Sequence, residues 1–239
     1  MPDTPDRHRR RFVRVGLSLT VLAALRPERV GAASLVPTPG QTRGPFYPSE
    51  LPLDRDNDLV QVAGRPGIAR GQVTNVIGRV LTEDGRPVAG ARVEIWQCNA
   101  HGRYHHPLDQ RDAPLDPHFQ GYGQTVTGAD GAYRFRTIKP VPYPGRTPHI
   151  HYAVTGPGFG PLVTQLYVEG EPGNARDPVL NSIRDPRARR SVIVPFVPDP
   201  TSPRGELLAR FDIVLAGDGR LGRADAEYWA VAAWKDTTR

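Results

Sequence analysis

Two Asp-Gly pairs, Asp84-Gly85 and Asp130-Gly131, constrain this chain more than any other feature, because each is a tight-turn signal set beside short alternating apolar stretches. Residues 75–81 precede the first pair. Residues 91–97 follow it, with Val93, Ile95 and Gln97 alternating, so the sequence predicts two strands forming a hairpin or a neighbouring pair. Another strand is expected over 132–136, after the second pair, and more over 149–154, 163–168, 191–194 and 211–215. Strands this short and this regularly spaced predict an all-β fold, an antiparallel β-sandwich.

The 25 glycines and 26 prolines are spread throughout instead of forming a repeat, which argues against a helical bundle and for many turns. Long Pro-rich connections over 104–120 and 140–148 are expected to be functional loops, since loops of that length in a compact domain rarely serve only as links. A short helix is predicted over 224–234, with Tyr228, Val231 and Ala232 on one side. Few helices are expected elsewhere. Residues 35–73 lack periodicity and are expected to wrap the sandwich or a neighbouring subunit, leaving 74–239 as the sandwich domain.

The first 34 residues have the parts of an export signal: a basic start, an uncharged stretch over 15–25, and small residues at Gly31-Ala32-Ala33. The uncharged stretch is too short for stable membrane insertion. Arg9-Arg10-Arg11-Phe12 resembles a twin-arginine signal, with a histidine where Ser or Thr is usual, so the expected destination is the periplasm after folding in the cytoplasm. The alternative is a basic tail on a cytoplasmic protein. Seven arginines against Asp3, Asp6 and Glu28 place four of the chain's +6 net charges in this leader, and the remainder leaves no footprint for nucleic acid. Cys98 is the single cysteine, which excludes an intrachain disulfide and a thiolate metal cluster; its apolar context predicts a small core residue.

Chemistry concentrates in residues 143–151, Tyr-Pro-Gly-Arg-Thr-Pro-His-Ile-His. Alternation along a strand puts His149 and His151 on one face and Ile150 on the other, so the two imidazoles can converge. By itself such a pair admits ordinary hydrogen-bonded histidines as well as a metal site. Tyr143 and Tyr104, both in Pro- and Gly-rich surroundings, shift that balance. Keeping one tyrosine ionised at pH 7 costs about 4 kcal/mol, which only a strongly Lewis-acidic centre repays. Phenolate oxygen with imidazole suits iron(III). Two phenolates and two neutral imidazoles would leave that iron at a net charge of +1, receptive to an anionic catecholate.

Residues 42–47 (Thr-Arg-Gly-Pro-Phe-Tyr), 90–104, 121–137, 143–152 and 164–167 (Thr-Gln-Leu-Tyr) together resemble the intradiol ring-cleavage dioxygenases, especially the protocatechuate 3,4-dioxygenase branch. The resemblance implies a β-sandwich around a non-haem Fe(III) centre that takes a catechol-type substrate and O2 and yields a cis,cis-muconate-type diacid. It implies Tyr104 and His149 as equatorial ligands and Tyr143 and His151 as axial ones, with Tyr143 leaving the metal to act as base when substrate arrives. Arg146 and Gln165 match the family's arginine and glutamine beside the reacting carbon. An oligomer is also implied. The sequence departs from the family in having only five residues between Tyr143 and His149, and in Gly145 where a tryptophan is usual, so the pocket wall differs. The Tyr122, Tyr133, Tyr152 and Tyr167 rings fall in strand patterns and are expected to pack. His101, His105, His106 and His118 are expected to serve loop structure.

Residues 78–80 and 84–93 also resemble the transthyretin-like and carboxypeptidase-regulatory-like modules, which bind or space other domains without chemistry. Such a module has no need of the Tyr, Tyr, His-x-His set.

Overall fold

A computed structural model describes residues 34–217; the predicted leader, Ser34 apart, and the helix expected over 224–234 lie outside the described residues. Ten strands form two five-stranded sheets. In the first sheet β1 (Val73–Thr82) is central, pairing antiparallel along one side with β4 (Ala132–Ile138). Its other side takes β9 (Leu207–Arg210) and then β10 (Ile213–Leu215), both parallel, and β8 (Val197–Pro198) adds to β9. The second sheet runs β3 (Tyr122–Val126), β2 (Arg92–Trp96), β5 (His149–Thr155), β6 (Leu162–Val168) and β7 (Ile193–Val194). Three of the pairings are parallel, so the expected sandwich is present with mixed sheets in place of purely antiparallel ones.

Between the sheets lies one apolar core containing Val76, Val80, Phe135, Ile138, Ile95, Ile150, Tyr152, Val154 and Leu166. The junction of β9 and β10 shows how closely the first sheet is fitted. There the Phe211 N–H donates to the Ile77 carbonyl, and a Cβ on Gly78 would lie 1.9 Å from the Phe211 carbonyl oxygen. Only glycine fits at that position.

The expected pairing of the strands around Asp84-Gly85 is corrected by the structure. The turn does close a hairpin, but its returning arm is residues 86–88: Thr82 N–H donates to Arg86 O, and Val88 N–H to Val80 O. Pro87 has no N–H to extend the ladder. The chain then crosses to the second sheet, where β2 pairs with β3 and β5. Of the strand expected over 191–194, Ser191 instead closes a short helix, α2 (Pro186–Ser191). That helix is started by Asp185, whose side chain accepts from the Arg187 N–H, with Pro186 at the first helical position.

Residues 34–72 run along the chain's own sheets. Leu35 N–H donates to Glu83 O, Thr38 N–H to Val214 O, Gln41 N–H to Val163 O and Leu59 N–H to Arg136 O. Leu59 and Val60 are fully buried in the core. This run brings residues 41–47 over the outer face of the second sheet.

Candidate metal centre and its surroundings

That outer face is built from residues in register. His151 lies opposite Trp96 on β2 and Gln165 on β6, while His149 lies opposite Tyr167. Both imidazoles are buried, at 2% and 1% exposure, although the histidines stand on the face away from the core. The Trp96 ring stacks on His151 with centroids 4.8 Å apart and planes within 8°. From the N-terminal run, Gly44 closes on the other side: at a φ of 70°, a Cβ there would sit 3.3 Å from His151 Cε1.

His149 Nδ1 lies 2.7 Å from the Thr147 carbonyl oxygen. A carbonyl only accepts, so Nδ1 carries the proton and the Nε2 lone pair is left free. That lone pair faces His151 Nε2 at 3.2 Å and the Tyr143 hydroxyl at 3.5 Å. The fourth member is Tyr104, 3% exposed, its ring 5.7 Å from that of Tyr143 and 6.3 Å from that of His151. Its loop is held by Asp109, which accepts from the Tyr104 N–H at 2.7 Å, and its ring stacks on Phe46 at 4.7 Å. The Tyr104 hydroxyl and His151 Nδ1 are buried without a hydrogen-bond partner.

Electrostatics reinforce this arrangement. Burial, with the Arg146 cation adding to it, lowers His149 to about 4; burial, then His149 and Arg146, pushes His151 well below the ordinary histidine value. Both imidazoles are therefore neutral at pH 7, as metal ligands must be. Burial, then Cys98 and Tyr143, drives the Tyr104 phenol well above its usual value. Tyr143 is also raised by burial, against the pull of Arg146 and Tyr104. Ionising either phenol thus needs a Lewis acid. Among the described residues no three His, Cys, Asp or Glu side chains cluster as a metal site. An orphaned phenol, a free imidazole lone pair and two neutral histidines are a donor set that fits a hard trivalent ion.

Arg146 stands beside this cluster. Its Nε donates to Asp177 Oδ2 at 2.9 Å, and its Nη2 to Gln165 Oε1 at 2.6 Å and to the Tyr167 hydroxyl at 3.4 Å. Gln165 is tied in turn to the N-terminal run, donating from Nε2 to Thr42 O at 2.8 Å and from its backbone N–H to Gln41 Oε1 at 3.0 Å. All six residues singled out from the sequence therefore meet in one region.

Several participants were not anticipated. Tyr167, expected only to pack, donates its hydroxyl to Gln165 Oε1 at 2.9 Å and accepts from Gln41 Nε2 at 2.8 Å. Asp177, which the sequence reading did not single out, caps α1 (Pro178–Asn181). Gln41 lies in a stretch without periodicity that offered no signal for single residues, and Phe46 entered only as part of the 42–47 resemblance, with no role of its own. Of the loop histidines, His106 comes near through an edge contact with Phe46 at 5.8 Å. Cys98 is buried at the base of this cluster and its thiol, pushed to about 12 by burial, donates to Val141 O.

A family model described as Dioxygenase matches residues 42–217. The chain is 45% identical over 181 residues to the protocatechuate 3,4-dioxygenase beta chain of Burkholderia cepacia, covering 72% of this chain and 77% of that one. It is 35% identical over 155 residues to the hydroxyquinol 1,2-dioxygenase of a Rhizobium species, covering 57% of this chain and spanning 50% of that enzyme's length. In solved structures, the dioxygenase domain of a carbohydrate-binding fusion from Streptomyces sp. SirexAA-E aligns with a TM-score of 0.56 at 31% identity, over 76% of this chain and 99% of that one.

Proposed function

Since the chain belongs to the family of intradiol ring-cleavage dioxygenases, we propose that it binds a catechol at an iron(III) held by Tyr104, Tyr143, His149 and His151 and cleaves the ring between the two hydroxylated carbons. The family relationship favours this reading over a non-catalytic sandwich module. The observation that carries the ligand assignment is the meeting of the His149 Nε2 lone pair with His151 Nε2 at 3.2 Å and Tyr143 Oη at 3.5 Å, beside the partnerless Tyr104 hydroxyl. Bound iron would supply the Lewis acidity that ionises both phenols and makes a chelated catechol electron-rich at carbon.

The chain's own groups account for the rest. Thr147 O fixes the His149 tautomer, and the Trp96 and Gly44 contacts hold the His151 ring. Tyr143, less enclosed than Tyr104, is the residue that, once ionised by bound iron, would be suited to accept a catechol proton at its phenolate oxygen. The Arg146 guanidinium, 13% exposed, offers fixed positive charge where negative charge builds on the ring. Gln165 keeps that guanidinium in plane. Because the relative from Burkholderia cepacia is named as a beta chain, assembly with a second chain type belongs to the same proposal, as does protocatechuate-like substrate choice. Export rests on the Arg9-Arg10-Arg11 leader alone. An unprocessed N-terminus on protein isolated from whole cells would remove it.

The test is a visible spectrum with metal analysis on iron-supplemented protein, followed by oxygen uptake and product identification with protocatechuate, catechol and hydroxyquinol. One iron per chain, a red-brown tyrosinate band and a cis,cis-muconate-type product are expected. A colourless protein without iron, or a semialdehyde from cleavage outside the hydroxyls, would sink the reading.

A further inference from the structure

Asp177 lies 31 residues from Arg146 in sequence, yet its carboxylate is fully buried against it. Its two oxygens do different work. Oδ1 accepts from the Val179 and Leu180 N–H groups at 3.0 and 2.9 Å and so caps α1. Oδ2 accepts from Arg146 Nε and from the Thr147 N–H, both at 2.9 Å. A cap for a four-residue helix needs only the first oxygen; the second is committed to the segment that leads into His149.

The consequences for the guanidinium are geometric. Nε is fixed by Asp177 and Nη2 by Gln165 and Tyr167, which together determine the plane of the group. The direction of Nη1 is set by the other two nitrogens. Of Arg146's hydrogen-bonded partners only Asp177 carries charge. The same carboxylate reaches the histidine as well: it accepts from the Thr147 N–H, and the carbonyl of Thr147 accepts from His149 Nδ1. Thr147 is secured from the far side by its own hydroxyl, which donates to Asn174 Oδ1 at 2.8 Å.

We infer that Asp177 is a positioning residue of this site, fixing the plane and reach of the Arg146 guanidinium. The inference rests on the proposed role of Arg146. It assigns Asp177 no contact with substrate: its effect on turnover passes through the arginine. Asparagine at 177 keeps one oxygen for the helix cap but presents an N–H2 group to Arg146 and Thr147, both donors, so the arginine is released.

The decisive experiment compares iron-loaded Asp177→Asn, Arg146→Ala and the double variant in steady-state kinetics, with metal content and the visible band recorded for each. Asp177→Asn should retain iron and colour and lose turnover on the order of 10²-fold, the scale of a misplaced catalytic group, with KM changed far less than kcat. The double variant should turn over at the rate of Arg146→Ala alone. Equal additional loss in the Arg146→Ala background, or unchanged kcat in Asp177→Asn, would overturn the inference. Should Asp177→Asn fail to accumulate as folded protein, Asp177→Glu, which keeps the charge but moves it by one methylene, must show the same kcat loss and the same non-additivity or the inference falls. Failure of the underlying functional reading looks different: wild-type protein would itself lack iron or the ring-opened product.

Discussion

The two faces of the second sheet are almost equally excluded from water, yet they hold opposite chemistry. On the core side Ile95, Ile150, Tyr152, Val154 and Leu166 pack into one apolar cluster. On the outer side, one residue along the same strands, stand Trp96, His149, His151 and Gln165, each no more than 2% exposed. Alternation in a half-buried strand ordinarily separates a dry face from a wet one. Here the polar face is dry as well, because residues 41–47 and the loops carrying Tyr104 and Tyr143 cover it. Burial of the core face packs almost wholly apolar side chains, the Tyr152 hydroxyl excepted, whereas burial of the outer face encloses the Tyr104 hydroxyl and His151 Nδ1 without hydrogen-bond partners beside His149 and Tyr143.

The largest expected effect tests that division directly. Tyr104→Phe and His149→Ala should each abolish iron binding and ring cleavage, read by metal analysis and product assay, while the melting temperature of the metal-free protein stays within a few degrees of the metal-free wild type. Unfolding of both variants would show that the outer face is also structural. Next in size, Ile150→Ala on the core face should cost about 2–5 kcal/mol in denaturant unfolding, with iron per folded molecule unchanged. Loss of iron from a still-folded Ile150→Ala protein would break the separation. The smallest effect is acid dependence. Burial opposes ionisation of Asp177, but the Arg146 side chain and the Leu180 and Thr147 N–H groups hold its carboxyl below the ordinary range. A depressed folded value means that its stabilisation is present above the unfolded value near 4 and disappears as pH falls through the folded one. Asp177→Asn should therefore flatten the acid limb of a stability-versus-pH curve, and an unchanged limb would contradict this assignment.

Much of the site was legible because its logic is local. Strand alternation alone puts His149 and His151 on one side of Ile150, and the Pro- and Gly-rich context of Tyr104 and Tyr143 marks loops, whose return to that side only the family resemblance implied. Asp177 was not legible, since an Asp before a proline announces a helix start and nothing in the sequence says where its second oxygen goes. The hairpin at Asp84-Gly85 was read with the wrong returning arm: the turn is real, but the arm that pairs back is 86–88, and 91–97 belongs to the other sheet. β3 was given no bounds, only Tyr122 being read as part of a strand pattern, because Tyr122, Gly123, Gln124 and Thr125 do not alternate in polarity; its place is set by its pairing with β2. Residues 34–72 bond to the chain's own sheets through long-range backbone contacts that no sequence period encodes.

The central strand of the first sheet takes its parallel neighbours from the far end of the chain, with Val80 beside Ile213. During synthesis β1 therefore leaves the ribosome long before β9 and β10, and one of its edges stays open until they emerge. A nascent chain in that state exposes an apolar strand edge suited to aggregation. Closure of that edge thus waits on residues 207–215, and truncation before residue 207 should leave a polypeptide that chaperones and proteases recognise.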